Sequence, residues 1–347
     1  MKKLIKNSYA NFYLNAAVKL NLEYEIHNSE VGLVEVFDSK KRLKISANVP
    51  DLNSQLSGGL AANKKKTSVL LQKKKIPVPE FKTFTNSKSA LKYALQQNKN
   101  NNLIVVKPLS GSLSIGVTVG PRTLTQICRS IKEAFAGNTE IIIEKDIEGQ
   151  HYRITVLDDE IIAITKRIPA FVIGNGKYTI QKLINNKNII RKKQKLPLII
   201  LRKKDLDYLG ENNVMLDSIY PRNKKIQLQY GCDLDIGGER EKVNIYDVPK
   251  INQDMFILAR QSLYLHFAGI DFISPDIKIP YTELICAINE INSAPDLDVH
   301  FRDSNPYNNY AAEKIMSKIF KPEIEEEKFT PSILFNPKYK KAFVVEN

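Results

Sequence analysis

Short apolar segments of strand length alternate with amphipathic segments of helix length along most of this chain. Strand-like runs such as Leu103–Lys107 and Ile161–Ile168 are separated by segments such as Leu124–Phe135, whose apolar residues recur at the spacing of one helix face. The longest apolar runs, such as Leu196–Leu201, are far shorter than the ~18 residues that a membrane-spanning helix needs. The alternation predicts mixed helix and sheet, of the α/β or the α+β class.

The composition is that of an ordinary folded protein with a strong excess of positive charge. Hydrophobic residues make up 43% of the 347 residues, and 52 Lys and Arg against 38 Asp and Glu give a net charge of +14. Such an excess favours anionic partners, for example nucleotides, carboxylates or nucleic acid. The three cysteines fit neither a disulfide framework nor zinc-ligand spacing, and no signal-peptide pattern opens the chain. We therefore expect a cytoplasmic protein without a membrane partner.

Shifts in composition divide the chain into regions, and a chain of this length suits roughly two domains of ~150 residues. We expect a small N-terminal region at 1–62, ended by the pair Gly58-Gly59, and a tail of mixed charge at 323–347. A basic insertion is expected at 178–230. Within the insertion, the basic stretch 191–204 is expected to be a solvated face or a docking surface for an acidic polymer.

The segment Val105–Val117 places a lysine at the end of a strand, followed by a loop of small residues. Lys107 ends the strand, and serine and glycine dominate the loop at 110–116. Small residues let backbone N–H groups approach phosphate oxygens, and a lysine adds a point charge. The loop lacks the GxxxxGK[ST] pattern of a Walker A site. A nucleotide loop and an ordinary turn between strands both remain open at this point.

Two acidic residues and an amide occupy strand positions that could meet. Glu290 and Asn292 lie two residues apart on a predicted strand and so share a face. Asp271 lies on the preceding strand, close enough along the chain for a hairpin to bring it beside Glu290. Carboxylate and amide oxygens suit a hard cation such as Mg²⁺. Solvated polar residues at strand ends are the alternative interpretation.

A third feature is the apolar run Ile141–Ile143, which continues into the charged bend Glu144–Ile147. This segment is either an edge strand leading into a loop or a hinge that offers backbone groups to a nucleotide base. No Ser/His/Asp or Cys/His arrangement of a nucleophilic enzyme stands out among the four histidines. We expect His300 to be a surface residue or, less commonly, a substrate contact.

Longer motifs resemble one family, the ATP-grasp carboxylate–amine ligases, over about residues 63–320. The segment Asn63–Pro79 is similar to the family pattern DKxxTKxLL…VPVP, and Arg167–Ile180 is similar to RxPAxVxGDGxxTI. The short motifs Gly269-Ile270-Asp271 and Glu290–Pro295 follow in the order of the family. The likeness is to the ATP-grasp module of cyanophycin synthetases and bifunctional glutathione synthetases, and more distantly to D-alanine–D-alanine ligase.

The resemblance implies an α+β ATP-grasp fold, in which two subdomains, 63–145 and 146–322, grip ATP behind a reduced N-terminal region. It implies ATP and Mg²⁺ as cofactors. The residues matched to ATP binding are Lys64, Lys107, Ser110, Gly111, Ser112, Gly116, Glu144, Lys145, Ile147 and His151. The magnesium positions fall on Asp271, Glu290 and Asn292. Arg153, Arg167 and Lys107 are matched to the catalytic groups that hold the reacting anions.

The chain departs from the family pattern at several positions. Asn63 replaces an acidic residue, and His151 replaces the acidic residue that would hold the ribose. Asp296, Asp298 and Asp233 replace a glycine, a basic residue and an asparagine near the expected acceptor site. Added carboxylates attract ammonium and guanidinium groups, so we expect an acceptor with more positive charge than the family's usual one.

The expected function is an ATP-dependent, ADP-forming ligation of a carboxylate to an amine through an acyl phosphate, with an amino acid or peptide substrate. A chain of this length has no room for further catalytic modules, so a stand-alone ligase is expected. One alternative is a degenerate ATP-grasp protein that binds nucleotide without ligating. The other is a basic nucleic-acid-binding protein, although no RNA- or DNA-binding motif is present. We expect no nucleic-acid partner, and a homodimer is compatible with the sequence.

Overall fold

The computed structural model describes residues 5–7, 9–109, 115–301 and 310–320, and it contains helices and antiparallel sheets throughout. The helices are α1 (Ala10–Lys19), α2 (Gln55–Ala61), α3 (Lys64–Lys73), α4 (Ser87–Lys99), α5 (Leu124–Phe135), α6 (Ile180–Lys193), α7 (Lys203–Glu211), α8 (Lys250–Gln261) and α9 (Tyr310–Phe320). The strands are β1 (Glu23–Asn28), β2 (Leu33–Phe37), β3 (Arg42–Ser46), β4 (Val49–Pro50), β5 (Phe81–Phe84), β6 (Ile104–Pro108), β7 (Thr118–Val119), β8 (Ile141–Lys145), β9 (Gln150–Leu157), β10 (Glu160–Ile168), β11 (Phe171–Ile173), β12 (Lys225–Gln227), β13 (Glu239–Val243), β14 (Phe267–Ser274) and β15 (Ala287–Asn292).

The N-terminal region is a four-stranded antiparallel sheet in the order β1-β2-β3-β4. Alternate residues of β3, Leu43 and Ile45, point into a buried core, as the two-residue period of a strand requires. This core also takes in α1 and α9, so a helix from the far end of the described chain packs against the N-terminal sheet. Strand β1 was not predicted, because Glu, His and Asn fill most of its positions and all six of its residues are exposed.

The second sheet has the order β5-β8-β6-β7 and is covered on one side by α4 and α5. Ile104 and Val106 on β6 join Ile141 and Ile143 on β8 in the core beneath these helices. The intervening residues face the other way, and Lys107 is one of them. Burial of one face by helices therefore leaves the opposite face of this sheet for polar side chains.

The third sheet has five antiparallel strands in the order β13-β10-β9-β14-β15. One face packs on α8 through residues such as Tyr152, Ile154 and Phe272. On β9 the alternate positions are His151, Arg153 and Thr155, which lie on the other face. Strand β9 therefore has one apolar face, which packs in the core, and one polar face, which carries residues of the predicted site.

The insertion between β10 and β13 has a small core of its own, formed by the β11–β12 ribbon with α6 and α7. Helix α6 begins at Ile180, where the Thr179 side chain caps it, and ends at Lys193. The basic stretch 191–204 is not simply a solvated face. Arg191 is buried, and its guanidinium donates to the carbonyl oxygens of Pro197 and Gly238.

The bounds of two other helices have local causes. Helix α3 begins at Lys64, where the Asn63 side chain caps it by accepting from the Lys66 N–H at 3.0 Å. Helix α8 ends at Gln261, and Tyr264 then adopts a positive φ of 55° that turns the chain into β14. Across the described residues, every helix is too short or too polar to cross a lipid bilayer.

Candidate active site

Strand register places three of the predicted residues in one row across the five-stranded sheet. Glu290 on β15 is opposite Asp271 on β14, and Asp271 is opposite Arg153 on β9. Asn292 is opposite Gly269, one row further along the same face. Asp271, Glu290 and Asn292 therefore lie close together on one face of the sheet, as the sequence predicted.

Asp271 is the centre of a buried ion triad. Arg153 binds it with two contacts, Nε to Oδ1 at 2.6 Å and Nη2 to Oδ2 at 3.3 Å, and Arg167 adds a third from Nη2 to Oδ1 at 3.1 Å. Burial alone would raise the pKa of Asp271, but the two guanidinium groups outweigh it and hold the pKa below its usual value. Both arginines are largely buried, so these are not exposed surface ion pairs.

Lys107 and Glu144 form a buried ion pair on the second sheet. Lys107 Nζ lies 2.6 Å from Glu144 Oε2, and the two side chains are only 5% and 4% exposed. They are diagonal neighbours on adjacent strands, because Lys107 is opposite Ile142 and Glu144 is opposite Val105. Lys107 Nζ also donates to Asn289 Oδ1 on β15 at 3.3 Å, which links the second sheet to the third.

Lys64 makes a second link to β15. Its Nζ lies 3.8 Å from Glu290 Oε1, and Lys64 is the first residue of α3. A cavity of about 500 Å³ lies beside this contact. Its lining includes Asn63, Lys66, Glu290, Asn292 and Ser293. Glu290 and Asn292 therefore line this cavity, while Lys64 contacts Glu290 and Lys107 contacts Asn289 on the same strand.

Comparisons with known proteins relate the chain to a family model and to curated relatives. A family model described as "D-ala D-ala ligase C-terminus" matches residues 70–190. The chain is 26% identical over 325 residues to cyanophycin synthetase of Crocosphaera subtropica, a match that covers 89% of this chain and 34% of that protein. It is 30% identical over 273 residues to a glutathione biosynthesis bifunctional protein of Streptococcus thermophilus, covering 76% of this chain and 36% of that protein.

A solved structure shows the same fold. The crystal structure of a bifunctional glutathione synthetase from Pasteurella multocida superimposes with a TM-score of 0.62 at 22% identity, over 90% of this chain and 43% of that one. The chain has the ATP-grasp fold. The predicted α+β class and the resemblance to ATP-grasp carboxylate–amine ligases are confirmed. The chain spans about a third of the length of the two curated relatives.

The predicted ATP-grasp hinge, Glu144–Ile147, begins in the last two residues of β8. The backbone N–H of Lys145 donates to Glu80 O at 2.8 Å. Tyr230 from the insertion donates its hydroxyl to Asp146 Oδ2 at 2.7 Å and thereby fixes the bend before Ile147. Burial raises the pKa of Asp146, and the same is true of Tyr230.

His151 stands at the predicted ribose position, beside the triad. Burial and the positive charge of Arg167 lower its pKa to about 4, although Asp271 opposes the shift. The imidazole is therefore neutral at pH 7, with one nitrogen able to donate and the other able to accept a hydrogen bond. A neutral histidine can hold a hydroxyl without adding charge beside Arg167.

Part of the predicted phosphate loop lies outside the described residues, namely Ser110, Gly111 and Ser112. Gly116 is described and has a φ of +69°. A Cβ at this position would come within 3.0 Å of Pro108 Cγ, so both the backbone angle and the packing favour glycine. The assignments of Lys64, Lys107, Gly116, Glu144, Lys145, Ile147 and His151 to ATP stay predictions.

The expectation that His300 is a surface residue was wrong. His300 is buried, and its two ring nitrogens are 2.7 Å from Thr155 Oγ1 and 2.8 Å from Thr165 Oγ1. Burial lowers its pKa to about 3, so the ring is neutral. The two threonines come from neighbouring strands, β9 and β10, and no local pattern around position 300 indicates them. The sequence analysis also missed Asn289, whose contact with Lys107 joins the two sheets.

The described residues contain one further group of metal-ligand type, on the N-terminal sheet. It consists of Glu25, His27 and Glu35. Glu35, however, is already bound by Arg42 through both carboxylate oxygens, at 2.9 and 3.0 Å. Arg42 therefore neutralises the most buried carboxylate of this group, and we assign no metal centre there.

Proposed function

We propose that the protein is an ATP- and Mg²⁺-dependent ligase that joins a carboxylate to an amine through an acyl phosphate, with an amino acid or peptide as substrate. One observation carries the proposal: two lysines from the N-terminal half of the fold converge on strand β15. Lys107 reaches Asn289 and Lys64 reaches Glu290, so the cleft holds cations opposite hard oxygen ligands. That arrangement suits a triphosphate and a divalent ion.

The reaction requires two anions, a carboxylate and the γ-phosphate, to approach each other. Lys64 and Lys107 would offset the repulsion by binding phosphate oxygens. The loop 110–116, with Gly116 at its end, is proposed to cover the triphosphate and exclude water. Exclusion of water matters because hydrolysis of the acyl phosphate would waste ATP.

The donor set fits magnesium. Glu290, Asn292 and Asp271 would hold Mg²⁺ through oxygen atoms, and the ion when bound would neutralise phosphate charge. Asp271 already accepts three N–H contacts from Arg153 and Arg167. A carboxylate has about four lone-pair positions, so Asp271 can still give one ligand bond, from Oδ2.

Arg153 and Arg167 are proposed to hold the donor carboxylate and then the acyl phosphate. Arg167 Nε is a buried donor with no acceptor among the described residues, which suits an incoming anionic oxygen. The carboxylate oxygen attacks the γ-phosphorus and ADP leaves. The amine then attacks the acyl carbon, loses a proton and displaces phosphate, so the new amide bond replaces the acyl–phosphate bond.

The base and ribose are assigned to the hinge side of the cleft. Glu144 and the backbone of Lys145 and Ile147 are proposed to contact the base, and the neutral His151 is proposed to hold a ribose hydroxyl. For the acceptor, Asp296 is exposed and its Oδ1 accepts from Asn48 at 2.6 Å. A fixed carboxylate at the cleft supports an amine substrate that carries additional positive charge.

The experiment that tests the function is phosphate release from MgATP in the presence of single amino acids and short peptides, with products identified by mass spectrometry. We expect one donor–acceptor pair to give stoichiometric ADP, phosphate and an amide product. ATP binding without any product across the panel would favour the non-ligating alternative. Salt-sensitive binding to nucleic acid without ATP binding would contradict the proposal.

A further inference from the structure

Strand β15 contains a bulge at the edge of the cleft. Asp271 is opposite Glu290, but the next residue, Phe272, is opposite Ile288, so Asn289 has no partner residue on β14. A bulge of this kind inserts one extra residue and changes the direction of its side chain, and bulges are common beside active sites. Asn289 is half-buried and lies directly before the predicted metal ligand Glu290.

The extra residue reaches the lysine of the other sheet. Asn289 Oδ1 accepts from Lys107 Nζ at 3.3 Å, while Glu144 Oε2 lies 2.6 Å from the same nitrogen. An ammonium group has three N–H donors. Among the described residues, the contacts with Asn289 and Glu144 use two of these N–H donors, and the third can donate to a ligand.

The two partners of Lys107 pull its ammonium group in different directions. Glu144 alone would hold the ammonium close to the second sheet, because opposite charges attract over a short distance. The Asn289 oxygen draws the ammonium towards β15, where Glu290 and Asn292 lie. Because an amide oxygen is neutral, it orients the lysine without cancelling the positive charge that a phosphate needs.

We propose that Asn289 is a positioning residue for ATP, which fixes Lys107 between its partner Glu144 and the metal-binding edge of β15. This inference rests on the proposed function, because it takes Lys107 as a phosphate ligand. It adds a residue that the sequence motifs do not mark. The bulge is the structural feature that makes the contact geometrically accessible.

The test compares Asn289→Leu with Asn289→Asp by calorimetric titration with MgATP and, separately, with adenosine. Leucine has a similar size but no acceptor, and we expect roughly tenfold weaker MgATP binding, the usual scale for losing a hydrogen bond to a charged group. Aspartate keeps an acceptor but adds a negative charge beside the triphosphate, so its loss should be larger. Adenosine has no phosphate, and its dissociation constant should not change.

Controls separate this role from a structural one. Thermal unfolding reports whether each variant folds, and Asn98→Leu replaces another half-buried asparagine, one that caps a loop at Pro121 and Arg122. MgATP affinity in Asn98→Leu should equal that of the wild type. Equal weakening of MgATP and adenosine by Asn289→Leu, or no change in either, would overturn the inference. A wild-type chain that does not bind MgATP would overturn the proposed function and the inference together.

Discussion

The two charged clusters of the cleft are built differently. On the second sheet, Lys107 and Glu144 form a one-to-one pair, whose charges cancel. On the third sheet, two arginines share Asp271, so the triad keeps one positive charge in excess. The Lys107–Glu144 pair has no net charge, but an N–H of Lys107 can still donate to a ligand. The triad has a net charge of +1 and therefore attracts anions. The proposed nucleotide lysine therefore lies on one sheet, and the arginines proposed to bind the reacting anions lie on the other.

The largest effect should come from removing the centre of the triad. Asp271→Asn leaves two buried guanidinium groups without their carboxylate, and we expect a loss of about 3–5 kcal/mol in the free energy of unfolding. Urea denaturation measures it. The matched control is Asp158→Asn, which removes the exposed partner of His266 and should cost less than about 1 kcal/mol. Equal losses in the two variants would mean that the triad is not a buried charge centre.

The pair should tolerate replacement better than the triad. Lys107→Met combined with Glu144→Leu substitutes apolar side chains for a buried ion pair, which is often neutral or stabilising. We expect unfolding free energy within about 1–2 kcal/mol of the wild type, together with at least a roughly 30-fold loss of MgATP affinity, because charged hydrogen bonds to phosphate disappear. A variant that keeps its affinity for MgATP would remove Lys107 from the nucleotide site.

The buried histidine behind the triad should make stability depend on pH. The pKa of His300 falls from 6.5 to about 3 in the folded chain, so below pH 6.5 the unfolded state binds one more proton. Stability is then lost as the pH falls from 6.5 towards 3. His300→Gln keeps a donor and an acceptor but does not titrate, so the slope of unfolding free energy against pH should drop by up to about 1.4 kcal/mol per pH unit. The slope that remains belongs to His151 and to carboxyl groups whose pKa is lowered on folding, such as Asp271 and Glu160. Identical slopes in both proteins would refute this origin.

The smallest effect is expected at the acceptor side. Asp296→Asn removes an exposed carboxylate but keeps an oxygen for Asn48. We expect roughly a three- to tenfold rise in the KM of a cationic acceptor relative to a neutral one, typical of a partly solvated charge contact. Competition between a lysine-type and an alanine-type amine in the ligation assay measures the ratio. An unchanged ratio would exclude Asp296 from acceptor selection.

Much of the site could be predicted from the sequence because its residues lie in local patterns. Glu290 and Asn292 share a face because they are two apart on a strand, and Lys107 ends a strand before a loop of small residues. The rest depends on register between distant segments. The contact of Arg153 with Asp271 spans 118 residues, and the burial of His300 depends on threonines from two other strands.

Asn289 shows the same limit most clearly. In a regular strand, its side chain would point away from that of Glu290. Only the one-residue shift between Asp271 and Phe272 changes this direction, and a bulge of this kind has no signature in the residues around it. The burial of Arg191 likewise depends on its hydrogen bonds to the carbonyl oxygens of Pro197 and Gly238, whereas the charge run itself predicted a solvated face or a docking surface.

The most direct test of the central claim is a crystal structure with Mg²⁺ and a non-hydrolysable ATP analogue. The account predicts the triphosphate between Lys64 and Lys107, with the metal on Asp271, Glu290 and Asn292. A nucleotide bound away from these lysines, or a metal on the Glu25, His27 and Glu35 group instead, would contradict it.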